Sequence, residues 1–305
     1  TLKKIIKTFK KGSKLTISGF KKYKTNNYGK IIFSEKNDLL EIIEEKDARL
    51  RNIKSDFCNG GIMAIHSSIL ECLDELQSNK ITQEIYLTEI VKIVNKHNKK
   101  ITFVEINEDE ILGINTQLDL ADAERISQNV LRKKAMLNGV KLIAPETVFF
   151  NYDTKIDKDV VIHPNVVFGK NVVIGQFVEI KSFSHIEDCE VKRESVIGPF
   201  ARLRGQTIIG PKSKIGNFVE IKNSALHEQV KVNHLSYIGD SEIGKSTNIG
   251  AGTITCNYDG KNKNKTKIGK NSFVGSNSTI IAPINIGNNV TLGAGSVFNK
   301  DIPNN

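Results

Sequence analysis

The chain has 305 residues, 39% of them apolar, with no Trp and two Met, so it can hold one to three domains around an aliphatic core. No apolar run approaches the roughly eighteen residues of a membrane span, and Thr1-Leu2-Lys3-Lys4-Ile5-Ile6 lacks the apolar centre of a secretory signal. The net charge of +10 is local: residues 1–30 hold ten Lys and no acid, and the rest balances at 34 basic and 34 acidic residues.

In that first stretch Ile5, Ile6, Phe9, Leu15, Ile17 and Phe20 interleave with the lysines. The pattern reads as a solvated lysine face on ordinary secondary structure rather than a nucleic-acid surface. With no initiator Met, the chain is expected to begin inside a longer protein. Residues 31–118 alternate strand-like and helix-like patterns. Leu87, Ile90, Val91 and Val94 share one helical face within 81–94, and Ile101-Thr102-Phe103-Val104-Glu105 is a β-branched run, as in an α/β layer. Residues 119–140 predict a connecting helix with Leu120, Ala123, Val130, Leu131 and Leu137 as its apolar positions, stopped at Asn138-Gly139. Cys58, Cys72, Cys189 and Cys256 form no CxxC pair and the six His no HxxxH, so neither zinc nor redox work is indicated and a reducing cytoplasm is expected.

Beyond residue 155 a bulky aliphatic residue recurs every six positions, often followed by Gly: Ile162, Phe168-Gly169, Ile174-Gly175, Ile180, later Ile209-Gly210 and Ile215-Gly216, then Ile268-Gly269 and Val274-Gly275. A helix cannot hold that period. The physical solution is a parallel β-helix of hexapeptide repeats, three per coil, with the aliphatic residue stacked inward at about 4.8 Å per coil.

Interruptions are where chemistry can sit. Asn257 to Lys267 is a loop with four lysines, suited to phosphate or simply solvated. Arg202 and Arg204 share a strand face and can fork a phosphate or stand in solvent. His234, in Val232-Asn233-His234-Leu235-Ser236-Tyr237, is roughly a coil from Glu220 and Lys222. Such an imidazole can serve as a base or be structural.

Four strings carry a resemblance: Gly198-Pro199-Phe200-Ala201-Arg202-Leu203-Arg204-Gly205, Gly216-Asn217-Phe218-Val219-Glu220-Ile221-Lys222, His234 to Asp240, and Asn248 to Gly260. Together they resemble the bacterial bifunctional N-acetylglucosamine-1-phosphate uridyltransferase / glucosamine-1-phosphate acetyltransferase family. The resemblance implies a partial nucleotidyltransferase (Rossmann-like) α/β domain over 1–118, a linker helix over 119–140 and a left-handed parallel β-helix over 141–305. It implies acetyl transfer from acetyl-CoA to glucosamine 1-phosphate in a cytoplasmic homotrimer, with sites between subunits and neither nucleic acid nor membrane as partner. By that likeness His234 is the catalytic base and Glu220 orients it. Arg204, Lys222, Tyr237, Asn248 and Lys263 would hold the amino-sugar phosphate, and Ala251, Asn257, Tyr258, Ser276 and Ala294 acetyl-CoA.

The front half matches in Asn27-Tyr28-Gly29-Lys30-Ile31, Ile43 to Ala48 and Cys58 to Ile62. There the family implies that Gly29, Glu44 and Asn59 contact UDP-N-acetylglucosamine, and that Asn115 contacts it and Mg²⁺. The family's Gly-rich nucleotide loop and metal-binding Asp precede everything in this sequence, so no conversion of UTP to UDP-N-acetylglucosamine is expected from it. It also stops before the family's carboxy-terminal arm, so acetyl transfer is expected to be weakened. His227 stands where the hexad usually has Gly and reads as a surface substitution. Competing readings are an acyltransferase for another amino sugar, a sugar-phosphate nucleotidyltransferase with an ornamental β-helix, and an inactive truncated assembly.

Overall fold

The computed structural model describes residues 1–21, 28–79 and 83–305, in two compact units of residues 1–123 and 124–305. Asn27 of the Asn27-Tyr28-Gly29 segment and Ile81 at the start of the expected 81–94 helix lie outside the described residues.

The first unit begins with α1 (Leu2–Phe9), which buries Ile5 and leaves its lysines in solvent. Then come β1 (Leu15–Lys21), β2 (Lys30–Phe33), β3 (Leu39–Ile43), α2 (Glu45–Leu50), β4 (Phe57–Ile65), α3 (Ile90–Lys96) and β5 (Ile101–Glu105). The sheet order is β3-β2-β4-β1-β5, with β1–β5 parallel and the other pairs antiparallel. The α/β layer read from the sequence is thus a mixed sheet. Its antiparallel part follows from a short turn between β2 and β3, with Asn37 left-handed at φ 63°, because a parallel return needs a longer crossover. The helical face read over 81–94 is cut to one short helix. Ile90, Val91 and Val94 are buried, while Leu87 sits exposed in a 3₁₀ turn before it.

In the second unit, parallel strands of two to four residues stack into sheets of eight, nine and eight strands among the described residues. Each sheet is one face of a solenoid. On the nine-stranded face Ile162, Ile180, Ile197, Ile215, Val232, Ile249, Val274 and Leu292 are successive register partners. All are buried. The six-residue aliphatic repeat is therefore the inner ladder of the fold. The corners demand left-handed backbone: Phe200, Phe218, Leu235 and Asn277 take φ of 51° to 57° along one edge. Buried hydroxyls at the turns bond to backbone carbonyls, as Ser195 does to Gly210 and Ser213 to His227, which offsets their burial, while Thr154 Oγ1 and Thr266 Oγ1 are buried with no hydrogen-bond partner.

Helix α4 (Gln117–Leu137) leads into this unit. Its face differs in part from the expected one: Leu131 packs half-buried against the solenoid core, but Leu120, Val130 and Leu137 are exposed, and the buried residues are Gln128 and Arg132. The first coil explains this. Phe150 donates its N–H to Gln128 Oε1 and accepts from Gln128 Nε2, and Arg132 Nε donates to the Val148 carbonyl. At the end of a stack these backbone groups have no preceding coil to pair with. Polar side chains satisfy them.

Candidate active site

The solenoid places the expected site residues on two adjacent faces that meet at one edge. On the first face, strand Lys214–Asn217 pairs with Lys231–His234, and Asn217 is the register partner of His234. Extending the strand pairs Lys231–Asn248, Asn248–Phe273 and Phe273–Thr291 by three residues carries this column through Ala251, Ser276 and Ala294. Backbone bonds across the edge follow the same path: Gly252 N donates to His234 O at 3.2 Å, Asn277 N to Ala251 O at 2.7 Å and Gly295 N to Ser276 O at 2.8 Å. The exposed His234 ring therefore stands at the foot of a ladder of small side chains. Asn248 lies on the same face, three residues before Ala251.

Around the edge, Glu220 pairs with Tyr237 and Arg204 with Lys222. Arg204 holds Glu220 Oε1 through Nε and Nη2, each at 2.7 Å. The Lys263 side chain lies beside Lys222 and pushes its ammonium below the ordinary value of 10.5. Partial burial and the positive charges of Lys263 and Arg204 act in the same direction, and Asp240 opposes them. Gly239 makes room here, because a Cβ would fall 2.5 Å from Tyr237 Oη and 2.8 Å from Asn257 Nδ2. Asp240 is buried and accepts from the side-chain amides of Asn223 and Asn257. Three cations, Tyr237 and a buried amide scaffold thus converge on one patch. Such a patch attracts a small dianion.

Two groups of expected residues do not lie together within one chain. Glu220 does not meet the imidazole within the chain: its carboxylate is taken by Arg204, and His234 Nδ1 lies 2.8 Å from Asn217 Oδ1 instead. The edge separates the two, since Asn217 and His234 close one face while Glu220 opens the next. The five residues assigned to acetyl-CoA also divide. Ala251, Ser276 and Ala294 form the ladder, whereas buried Asn257 bonds Asp240 and exposed Tyr258 donates its hydroxyl to Gly260 O at 2.7 Å inside the lysine loop. His227 is exposed and pairs with Glu242 at 3.3 Å. Asn217 and Asp240 were missed by sequence reading. The signal was available, because Asn217 precedes His234 by 17 residues, about one coil.

In the first unit, Asn59 N donates to Gly29 O at 2.8 Å. A Cβ on Gly29 would lie 3.2 Å from Ile43 O and 3.6 Å from Glu44 Oε2, so these three expected residues adjoin. Glu44 Oε1 accepts from Thr88 Oγ1 at 2.7 Å. Asn115 is exposed, its backbone N–H bound to Asp119 Oδ2 at 3.1 Å. That oxygen also accepts from Thr116 N and Oγ1, which with the Asn115 amide hold the carboxyl below its ordinary value. A divalent cation of the hard class needs several oxygen ligands. One amide and an oxygen already committed to three donors do not fit Mg²⁺.

Elsewhere among the described residues, Cys72, Glu75 and His97 bring ligand-type atoms within 4.8 Å of one another. His97 Nε2 already contacts Glu75 Oε1 at 2.5 Å, and Lys96 lies 3.8 Å from the same carboxylate, so the group is satisfied as an ion-pair cluster. All four cysteines are free thiols, and burial pushes Cys189 far above the ordinary thiol range. No helix among the described residues is long and apolar enough to cross a membrane.

Residues 265–300 match the hexapeptide repeat of succinyl-transferase. Over 306 residues the chain is 45% identical to the bifunctional protein GlmU of Wolbachia pipientis, covering 99% of this chain and 70% of that one. The GlmU proteins of Bartonella bacilliformis and Agrobacterium fabrum are 44% and 42% identical over 96% of this chain, which covers 66% and 64% of theirs. A solved UDP-N-acetylglucosamine acyltransferase from Francisella novicida overlaps 52% of this chain and 63% of its own at 19% identity and a TM-score of 0.48. The chain spans about two thirds of the length of the curated relatives it matches. By that identity, over 96% or more of its length, the chain belongs to the family of the bifunctional protein GlmU.

Proposed function

We propose that the solenoid transfers the acetyl group of acetyl-CoA to the amine of glucosamine 1-phosphate. The observation that carries this reading is the convergence of Arg204, Lys222 and Lys263 beside Tyr237, with Lys222 so crowded by positive charge that its ammonium is held below the usual range. Cations gathered against their own repulsion favour an anion that relieves it. Around the edge, His234 supplies the base. Its ring would take a proton from the amine as nitrogen attacks the thioester carbonyl, then return one to the departing thiolate. Ala251, Ser276 and Ala294 would offer the pantetheine a ladder free of bulky side chains, reached from the His234 end.

The reading includes assembly as a homotrimer, because Asn248 and the His234 column face away from the cation patch and a neighbouring copy would join the two kinds of surface. It carries with it a cytoplasmic location. In the first unit, Gly29, Glu44 and Asn59 would contact a UDP-linked sugar.

The test is thiol release with glucosamine 1-phosphate. His234→Ala is expected to lower turnover by on the order of a hundredfold or more while the protein stays folded. Arg204→Ala should raise KM for the sugar phosphate at least tenfold, matching the loss of a charge-assisted contact. Unchanged turnover in His234→Ala removes the base, and with it the reaction. Sedimentation at micromolar concentration checks the trimer.

A further inference from the structure

We infer that Asn217 is the positioning residue of His234: its side-chain oxygen accepts from ring Nδ1, fixing the tautomer that leaves Nε2 free to take the substrate's proton. This deepens the proposed acetyl transfer and rests on it for its kinetic consequence, but not for its structural one.

The bond is 2.8 Å long and joins residues in direct strand register. An amide oxygen has no proton to give, so the ring nitrogen facing it carries the hydrogen. In a neutral imidazole the other nitrogen, Nε2, is then the acceptor, on a ring that is exposed. A base must present a lone pair, and an imidazole free to exchange tautomers presents it only part of the time. The backbone allows little slack. Lys214–Lys231 and Ile215–Val232 pair on one side of the bond, and Leu235 N donates to Asn217 O at 3.0 Å on the other. Gly216 completes the grip, since a Cβ there would lie 1.9 Å from Asn233 O. The coils therefore meet at backbone contact one residue before each partner.

The choice of an amide matters chemically. A carboxylate at Asn217 would also fix the ring but would favour its charged form, whereas an amide orients it without adding a charge. The Glu220 carboxylate is tied to Arg204 around the edge, and the charged groups on the two strands beside His234 are Lys214 and Lys231. In the step itself, the amine nitrogen bonds to the thioester carbon as its proton passes to Nε2. The C–S bond then breaks, and the imidazolium returns that proton to the leaving thiolate. The ring ends neutral, with its Nδ1 hydrogen still on the Asn217 oxygen.

Nitrogen-15 NMR of the full chain labelled at histidine reads the tautomer directly. The His234 signal should be that of the Nδ1–H form, and Asn217→Leu should convert it to a mixture. In thiol release, Asn217→Leu should lower kcat by about tenfold to a hundredfold, the scale of a misplaced catalytic group, with KM within about twofold. The near-isosteric Asn217→Asp should keep the Nδ1–H form and move the acidic limb of kcat/KM up by about one pH unit or more. An Nε2–H signal in the wild-type chain, or an Asp variant with an unmoved pH profile, overturns the assignment. If no chain releases thiol, acetyl transfer fails while the NMR result still decides what Asn217 does.

Discussion

Lys222 ties charge, pH and ligand together. Its folded-state value lies below the ordinary 10.5, so over the interval between the two the unfolded chain holds more protons than the folded one. Stability contributed by this group therefore rises as pH climbs through the depressed value, and the positive crowding costs most at neutral pH. A bound phosphate reverses the sign by favouring the ammonium. We expect inorganic phosphate or a sugar phosphate to raise Tm at about pH 7 and to do so less near pH 10, where lysines lose their charge. Lys222→Ala should abolish most of the gain. Thermal shift with and without phosphate checks this, and a gain that grows with pH would contradict it. Residue types were legible here from the strings around Arg204, Lys222 and His234. Pairing was not, because which carboxylate meets which cation depends on the side of a corner.

At the scale of elements, the lysine loop is organised by one acid. Asp259 accepts from the backbone N–H groups of Asn262 and Lys261 and from the Asn264 side chain, and these bonds hold its carboxyl below 3.8. A depressed carboxyl contributes stability above its ordinary value and loses it as pH falls through the folded one. Asp259→Ala should loosen the turn that aims Lys263, raising KM for the sugar phosphate several-fold with little change in global unfolding, as a local contact on an exposed loop implies. The step between coils is stiffer. Gly216→Ala must displace Asn233 backbone, so it should cost about 1–3 kcal/mol, the usual penalty of overpacking, and separate Asn217 from His234; urea denaturation and turnover measured together test both halves. Helix α4 shows where element-level reading fails. Its length was legible from the run ending at Asn138-Gly139, and so was Leu131 against the core, yet the burial of Gln128 and Arg132 was not, because the demand for them comes from the unpaired backbone of the first coil.

For the whole molecule, the solenoid behaves as a stack in which each coil supports its neighbours. Ile215 is buried in the middle of the inner ladder, whereas Leu292 lies in the outermost strand of the same face among the described residues and is 5% exposed. Ile215→Ala should cost about 2–5 kcal/mol, the range for a buried aliphatic truncated to Ala. Leu292→Ala should cost less, since an end coil can relax. Denaturant midpoints of the full chain compare the two, and equal losses would argue against stack-like coupling.

The repeat itself decided the core: with one inward residue every six, aliphatic side chains had to stack and the surface had to be what interrupted them, because burial depends on local periodicity. The order of the four site strings likewise carried the family and the chemical types of the candidate site. Tertiary structure alone decided partnership. His234 met Asn217 rather than Glu220, Ala251, Ser276 and Ala294 aligned while Asn257 turned to Asp240 and Tyr258 into the lysine loop, and the first sheet mixed antiparallel pairs with one parallel pair. The physical reason is that a corner turns the chain onto a new face within two residues, so neighbours in space are set by coil length and register rather than by distance along the sequence.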